Sequence, residues 1–348
     1  MNHKFPYRWN LSDGYPATGI EKNNFNVFGT FICGGGSTLG YKLAGFSHLG
    51  GVEIDKQVAD IYETNHKPKY LFNEDIRDFN KRIDLPRELY ELDILDGSPP
   101  CSTFSMAGSR EKAWGKSKKF REGQENQTLD DLVFVYCDTI IKLQPKVFLL
   151  ENVKGIIQGN AKLYSKKIVE KMTNAGYTVQ VFCLNAASMG VPQKRERVFF
   201  IGFKNEFKFP KLKLEFNEKA ITFGEYCNDK HEQMRIGKMY NELFIHRIKE
   251  DKSFADICVR VQKRNAMWNS YIIDKNDTFP TILAGSHYYT WDMCGKIESN
   301  EYCCIGSYPL DYNFKLIEPK YLIGMSVPPV MAAQISHQIF LQWLSKLS

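Results

Sequence analysis

Up to Phe203 the chain alternates short apolar runs with stretches of helical spacing. Asn26-Val27-Phe28-Gly29-Thr30-Phe31 predicts a strand ending at glycines, and Thr38 to Phe46 the helix that follows. Leu49-Gly50-Gly51-Val52-Glu53 reads as a second strand that ends on an acid. Asp93-Ile94-Leu95-Asp96 and Val147-Phe148-Leu149-Leu150 are apolar enough to be parallel strands buried on both faces. Between them, Asp130 to Leu143 has helical spacing, and Val198 to Phe203 is a further strand. Strands alternating with helices predict an α/β fold with a doubly wound sheet.

After Phe203 the pattern changes. Residues 204–280 are lysine-rich, poor in glycine and without clear alternation, and are expected to form a separate lobe. Val327-Pro328-Pro329 then opens an amphipathic helix, Val330 to Leu344, able to pack back on the first domain. The expected division is 1–203 plus 320–348, 204–280, and a return segment 281–319. No internal repeats are visible. The residues before the first core strand have a turn-like middle, Ser12-Asp13-Gly14-Tyr15-Pro16, and no assignable chemistry.

Composition narrows the classes. With 348 residues, 43% of them hydrophobic, the chain can bury one large core and a second, smaller one. No run approaches the ~20 apolar residues of a membrane helix. The opening Met1 to Trp9 lacks the apolar core of a signal peptide, so a cytoplasmic protein without membrane contact is expected. Nine cysteines are scattered without paired C-x-x-C spacing, which argues against zinc and against a disulfide framework; no metal is expected. The net charge of +6, with a pI near 8.7, is only mildly basic. Local clustering says more: Arg110, Lys112, Lys116, Lys118, Lys119 and Arg121 are interleaved with Trp114 and Phe120. Such a loop suits a lid closing on a phosphate backbone, or a solvated loop.

Three strings carry candidate chemistry. Gly34-Gly35-Gly36-Ser37-Thr38-Leu39-Gly40 lies between a strand and a helix, where glycines permit close approach of backbone to ligand. Glu53, 17 residues after Gly36, ends the next strand, where a carboxylate can accept from both hydroxyls of a ribose. The G-x-G-x-x-x-G spacing is not the dinucleotide pattern and leans towards S-adenosylmethionine. Cys101 follows Pro99-Pro100, whose rings aim the loop, and Glu151 ends an all-apolar run, where an unpaired carboxyl is expensive. In Gln193-Lys194-Arg195-Glu196-Arg197, alternation sends both arginines to one side.

Taken in this order, the strings resemble the DNA (cytosine-5)-methyltransferase family of bacterial and phage type, from Phe31 to about Ile339. Gly97-Ser98-Pro99-Pro100-Cys101-Ser102-Thr103-Phe104-Ser105 is similar to the family's G-x-P-P-C-Q-x-F-S, with Ser102 at the glutamine. Pro145 to Val153 is similar to P-x-x-x-x-x-E-N-V, and Gln193 to Arg197 to Q-x-R-x-R. The resemblance implies a Rossmann-like sheet of an S-adenosylmethionine-dependent methyltransferase with a second, smaller target-recognition domain at 204–280. It implies Cys101 as a thiolate nucleophile at carbon 6 of a flipped-out cytosine, which makes carbon 5 able to take a methyl group from the sulfonium. Glu151 would meet the ring nitrogen and the exocyclic amine, with Asn152 orienting it. Arg195 and Arg197 would hold the base carbonyl and either phosphate or the Cys101 loop, the two roles undivided.

For the cofactor the resemblance implies Phe31, Gly34, Gly35, Gly36, Ser37, Thr38, Leu39, Glu53, Ile54, Asp75, Ile76, Pro100 and Ser326. Cys33 stands at the family's first glycine, a departure the turn tolerates if that residue has negative φ. For DNA it implies Arg110, Lys112, Lys118, Lys119, Gln193, Arg260, Lys263, Arg264 and Thr281. Segments 301–312 and 321–329 are similar to the ninth and tenth family motifs. The expected protein is a monomeric modification enzyme acting on duplex DNA, paired with a restriction endonuclease or a companion methyltransferase. The tRNA-methylating branch of the family and a non-catalytic DNA-binding module are the alternatives.

Overall fold

The computed structural model describes residues 3–100, 131–228, 231, 237–264, 269–283 and 285–347. Seven strands form the main sheet: β1 (Asn26–Thr30), β2 (Ser47–Val52), β3 (Tyr70–Phe72), β4 (Ile94–Gly97), β5 (Val147–Val153), β6 (Tyr177–Asn185) and, after the two-residue β7 (Gln193–Lys194), β8 (Glu196–Lys204). Their order is β3-β2-β1-β4-β5-β8-β6. The first five are parallel, while β8 runs antiparallel between β5 and β6.

Alternation along each strand divides the core into two halves. Val27, Ile94, Val147, Leu149, Phe199 and Ile201 face one apolar cluster; Phe28, Leu95, Phe148, Leu150, Val198 and Phe200 face the other. The first face is covered by α1 (Gly36–Leu43), α2 (Lys56–His66) and, from much later in the chain, α10 (Pro329–Gln342). The second is covered by α3 (Ile76–Lys81), α4 (Leu132–Leu143) and α5 (Lys162–Asn174). Burial on both faces explains the unbroken apolar runs. Helix α1 begins two residues before the expected Thr38. Left-handed Gly35 (φ 69°) acts as its N-cap, and Gly36 is already helical.

The expected boundary at residue 204 does not match the packing. Residues 205–222 form a strap along the large domain: Phe209, Leu212 and Ile221 join its core. The Trp343 ring lies parallel to Phe209 and donates its N–H to Pro210 O at 2.8 Å. An extended strap buries single residues at irregular spacing, so it shows no period. A separate apolar cluster gathers Leu243, Phe244, Phe254, Ile257, Cys258, Ile272, Tyr289 and Cys294. Apart from Cys294, in the turn that follows, they come from α6 (Lys238–Phe244), α7 (Phe254–Gln262), β9 (Ser270–Ile273) and, beyond the short β10 (Phe279–Pro280), β11 (His287–Thr290). The smaller lobe therefore centres on 238–294 and includes part of the expected return segment. The return to the large domain continues through α8 (Ser299–Gly306) and α9 (Pro319–Met325).

Candidate active site

The carboxyl ends of the parallel strands open on a cleft of about 410 Å³, within the range of small-molecule sites. One end is built by the turn after β1. Phe31 and Cys33 both have positive φ, 54° and 46°. The negative φ expected of Cys33 is thus corrected: it keeps the left-handed geometry of a glycine. Its backbone N–H donates to Glu53 Oε2 at 2.9 Å, while Glu53 Oε1 accepts from the Asp55 N–H at 2.9 Å. A non-glycine residue held there stores about 1–3 kcal/mol. Burial pushes the Glu53 carboxyl up to about 7, with the N–H donors opposing the shift. Asp75 caps α3 by accepting from the Arg77 N–H at 2.7 Å, and Arg77 pairs with it.

At the other end, Glu151 and Asn152 continue β5 beyond its apolar run. The Arg197 guanidinium pairs with Glu151 Oε1 at 3.0 Å. Asn152 donates to Pro99 O at 3.3 Å, tying β5 to the segment that leads to Cys101. Arg195 takes a different path. It is 3% exposed, and its Nη2 donates to Gly324 O and Ser326 O, both at 3.0 Å. Its Nε and Nη1 are buried without a partner. Burial and the neighbouring Arg197 pull its pKa down to about 9. Two orphaned guanidinium donors at a cleft wall call for an acceptor that the described residues do not supply.

Of the expected cofactor residues, Phe31, Gly36, Ser37, Glu53, Ile54, Asp75, Ile76, Pro100 and Ser326 line this cleft, together with Glu151, Asn152, Arg195 and Arg197. Gly34, Gly35, Thr38 and Leu39 are not on its wall. Thr38 is buried, with its hydroxyl 3.0 Å from that of Tyr62, and Leu39 is in the core. Cys101, Arg110, Lys112, Lys118 and Lys119 lie outside the described residues.

The remaining expected DNA contacts are dispersed. Gln193 is 1% exposed and spends both ends of its amide on backbone, donating to Ile305 O and accepting from the Ile282 N–H. It is placed as a tie between the smaller lobe and the large domain, not as a surface contact. Thr281 donates to Lys194 O at 2.6 Å. Arg260 pairs with Asp251 at 2.6 Å. Lys263 and Arg264 are exposed just past α7. Sequence reasoning missed Ile32, Val58 and Leu132 in the cleft wall. They are apolar residues with no spacing of their own to mark them. Among the described residues, no group of three or more His, Cys, Asp or Glu side chains is placed to hold a metal ion. No helix there is long and apolar enough to cross a membrane.

A mostly parallel sheet with its cleft at the strand ends, an acid at the end of the second strand and a Glu–Arg pair beside Pro99-Pro100 put the site where open α/β sheets hold their ligands. The pattern of the C-5 cytosine-specific DNA methylases matches residues 25–341, and this chain belongs to that family. Type II methyltransferase M.FnuDI of Fusobacterium nucleatum is 37% identical over 185 residues, 52% of this chain and 48% of that protein. Type II methyltransferase M1.HphI of Haemophilus parahaemolyticus is 27% identical over 328 residues, 89% of this chain and 85% of the relative. The match thus spans about half the length of the first relative and most of the second. Among solved structures, a Spodoptera frugiperda DNMT2 variant superposes with a TM-score of 0.64 at 15% identity, over 91% of this chain and all of that one (100%). At that identity it speaks to the fold alone.

Proposed function

We propose that this chain transfers a methyl group from S-adenosylmethionine to carbon 5 of a cytosine flipped out of duplex DNA, as the modification enzyme of a restriction–modification system. The observation that carries this reading is the cleft itself. One wall holds the Glu151–Arg197 pair and the orphaned donors of Arg195; the other holds Phe31, Glu53 and Asp75.

The cofactor fits the second wall: the Glu53 carboxyl suits a ribose, Asp75 and Ile76 suit an adenine, and Phe31 and Ser326 suit the methionine end. When bound, it supplies an electrophilic methyl group on a sulfonium. The protein's part is to make carbon 5 nucleophilic. Cys101, which follows Pro99-Pro100 in the sequence, would add its thiolate to carbon 6; the electron pair of the 5,6 double bond shifts towards carbon 5. Glu151, held by Arg197, meets the ring nitrogen and the exocyclic amine and favours a proton on that nitrogen. Arg195, with two free donors, is the better placed of the arginines to bond the base carbonyl. Once carbon 5 carries the methyl group, loss of its proton to water and rupture of the carbon–sulfur bond re-form the 5,6 double bond and return the thiolate. The lobe at 238–294, with Lys263 and Arg264 exposed, is assigned to reading the duplex.

The test is transfer of labelled methyl to plasmid DNA and to tRNA, with bisulfite sequencing of DNA from cells expressing the chain. Wild-type protein is expected to label cytosines in one short DNA sequence, and Cys101→Ala to label none while still binding the cofactor. Labelling of tRNA alone, binding of DNA with no transfer at all, or full activity of Cys101→Ala would overturn the assignment.

A further inference from the structure

Behind the turn after β1 lies a buried polar cluster that the chemistry above leaves unused. The Gly34 carbonyl accepts from two phenols, Tyr312 at 2.8 Å and Tyr308 at 3.1 Å. Both rings are buried, at 5% and 0% exposure. A carbonyl oxygen has two lone pairs, so these two donors saturate it. Tyr312 has one proton and gives it to Gly34. Its 3.2 Å contact with His66 therefore runs the other way, with Nε2–H of His66 donating to the Tyr312 oxygen. That tautomer leaves Nδ1 bare, and Nδ1 of His66 is among the buried atoms without a partner. Burial holds the imidazole neutral, as this arrangement requires.

Both tyrosines come from residues 307–312, which the beginning of the chain holds in place. Trp9 Nε1 donates to Ser307 O at 3.1 Å, and the Leu310 N–H to Trp9 O at 2.8 Å. The Asp311 carboxylate accepts from the N–H groups of Leu11 and Ser12. Gly34 itself sits between left-handed Cys33, which Glu53 holds from the cleft side, and Gly36-Ser37, which form the cleft wall. The peptide group is thus gripped from both sides at the point where a cysteine occupies a glycine's conformation.

We propose that Tyr308 and Tyr312 are positioning residues for the cofactor. Their hydroxyls lock the Gly34 peptide, so that the turn meets S-adenosylmethionine already in its binding shape. This rests on the cofactor assignment above. A pre-organised turn loses less freedom on binding, so releasing it weakens affinity without touching any group that contacts the base.

The experiment compares Tyr308→Phe, Tyr312→Phe and the double variant in the full chain. Calorimetry gives affinity for S-adenosylmethionine and S-adenosylhomocysteine; urea midpoints give stability; kinetics give kcat and KM for each substrate. Each lost hydroxyl should weaken both ligands roughly 3- to 10-fold, the range for one neutral hydrogen bond. KM for the cofactor should rise in step, with kcat and KM for DNA unchanged. Lower midpoints with unaltered affinity in the folded protein would show a merely structural role and overturn the proposal. If the double variant does not fold, Tyr312→Phe alone decides the matter, because the Tyr308 hydroxyl also hydrogen-bonds the Ser326 side chain. A wild-type chain that binds neither ligand would instead bring down the cofactor assignment, and this inference with it.

Discussion

Gly35→Ala is the substitution whose effect can be worked most fully from the structure. Gly35 has φ 69°, a left-handed conformation in which a side chain costs about 1–2 kcal/mol. A Cβ built there would lie 2.1 Å from His66 Nε2 and 2.9 Å from the adjoining ring carbons. The obstacle is a rigid ring, packed 4.4 Å from Tyr62 and hydrogen-bonded to Tyr312, so it cannot swing aside as a flexible chain end would. Overpacking of this kind adds roughly 1–3 kcal/mol. The sum is a loss of ~2–5 kcal/mol, read as a fall in the urea midpoint followed by fluorescence of the five tryptophans. The two parts separate in a double-mutant cycle. His66→Ala removes the ring, so Gly35→Ala in that background should cost only the backbone part, giving a coupling of ~1–3 kcal/mol. Additivity within ~0.5 kcal/mol, or a loss below ~1 kcal/mol for Gly35→Ala alone, would refute the reasoning.

Burial raises the Asp96 carboxyl to about 7, against opposing hydrogen bonds from Ser37 and Tyr41. With the folded value above the unfolded one, its part of the stability is greatest below pH ~4 and falls as pH rises towards ~7, by about 3–4 kcal/mol. Asp96→Asn should flatten that fall in urea titrations at stepped pH; an unchanged slope would rule it out. The lysines of the strap, Lys208, Lys211 and Lys213, follow the far end of β8, which begins at the cleft and leaves it. Changing all three to Ala should leave DNA affinity and its salt slope unchanged, whereas Lys263→Ala and Arg264→Ala should each flatten the slope by ~0.9. Equal effects from both sets, in filter binding across a salt series, would mean that the strap faces DNA.

Strands β1, β4 and β5 were legible because they are buried on both faces, and only unbroken apolar runs suit that position. Strand β6 was not read from the chain. It lies at the sheet edge, and Thr178, Cys183 and Asn185 among its residues face solvent, so its signal was mixed. The strap at 205–222 looked like the start of a lobe because its lysines outnumber the few residues it buries. At the site, residue types and order pointed to Glu53, Glu151 and Arg197 in one cleft. They did not divide Arg195 from Arg197: which arginine turns to a carboxylate and which to the carbonyls of Gly324 and Ser326 depends on a segment far along the chain. Nor could the pattern reveal that Cys33 takes a positive φ, because the Glu53 hydrogen bond that holds it exists only once β2 lies beside β1.

The contact between Trp9 and Ser307 joins residues 298 positions apart. Beside it, α10 completes one face of a sheet whose first strand begins at Asn26. During synthesis, then, Trp9 must wait for the 298 residues that separate it from Ser307 before the segment that holds its indole has emerged. A topology with such distant pairings forms slowly, because the long loop has to close before the contacts reward it. Until then the growing chain carries an uncovered α1 face and an unfinished sheet, the kind of surface that recruits chaperones or aggregates. The yield of active protein should therefore depend on the period between translation of β1 and arrival of α10, more than on the stability of the finished fold.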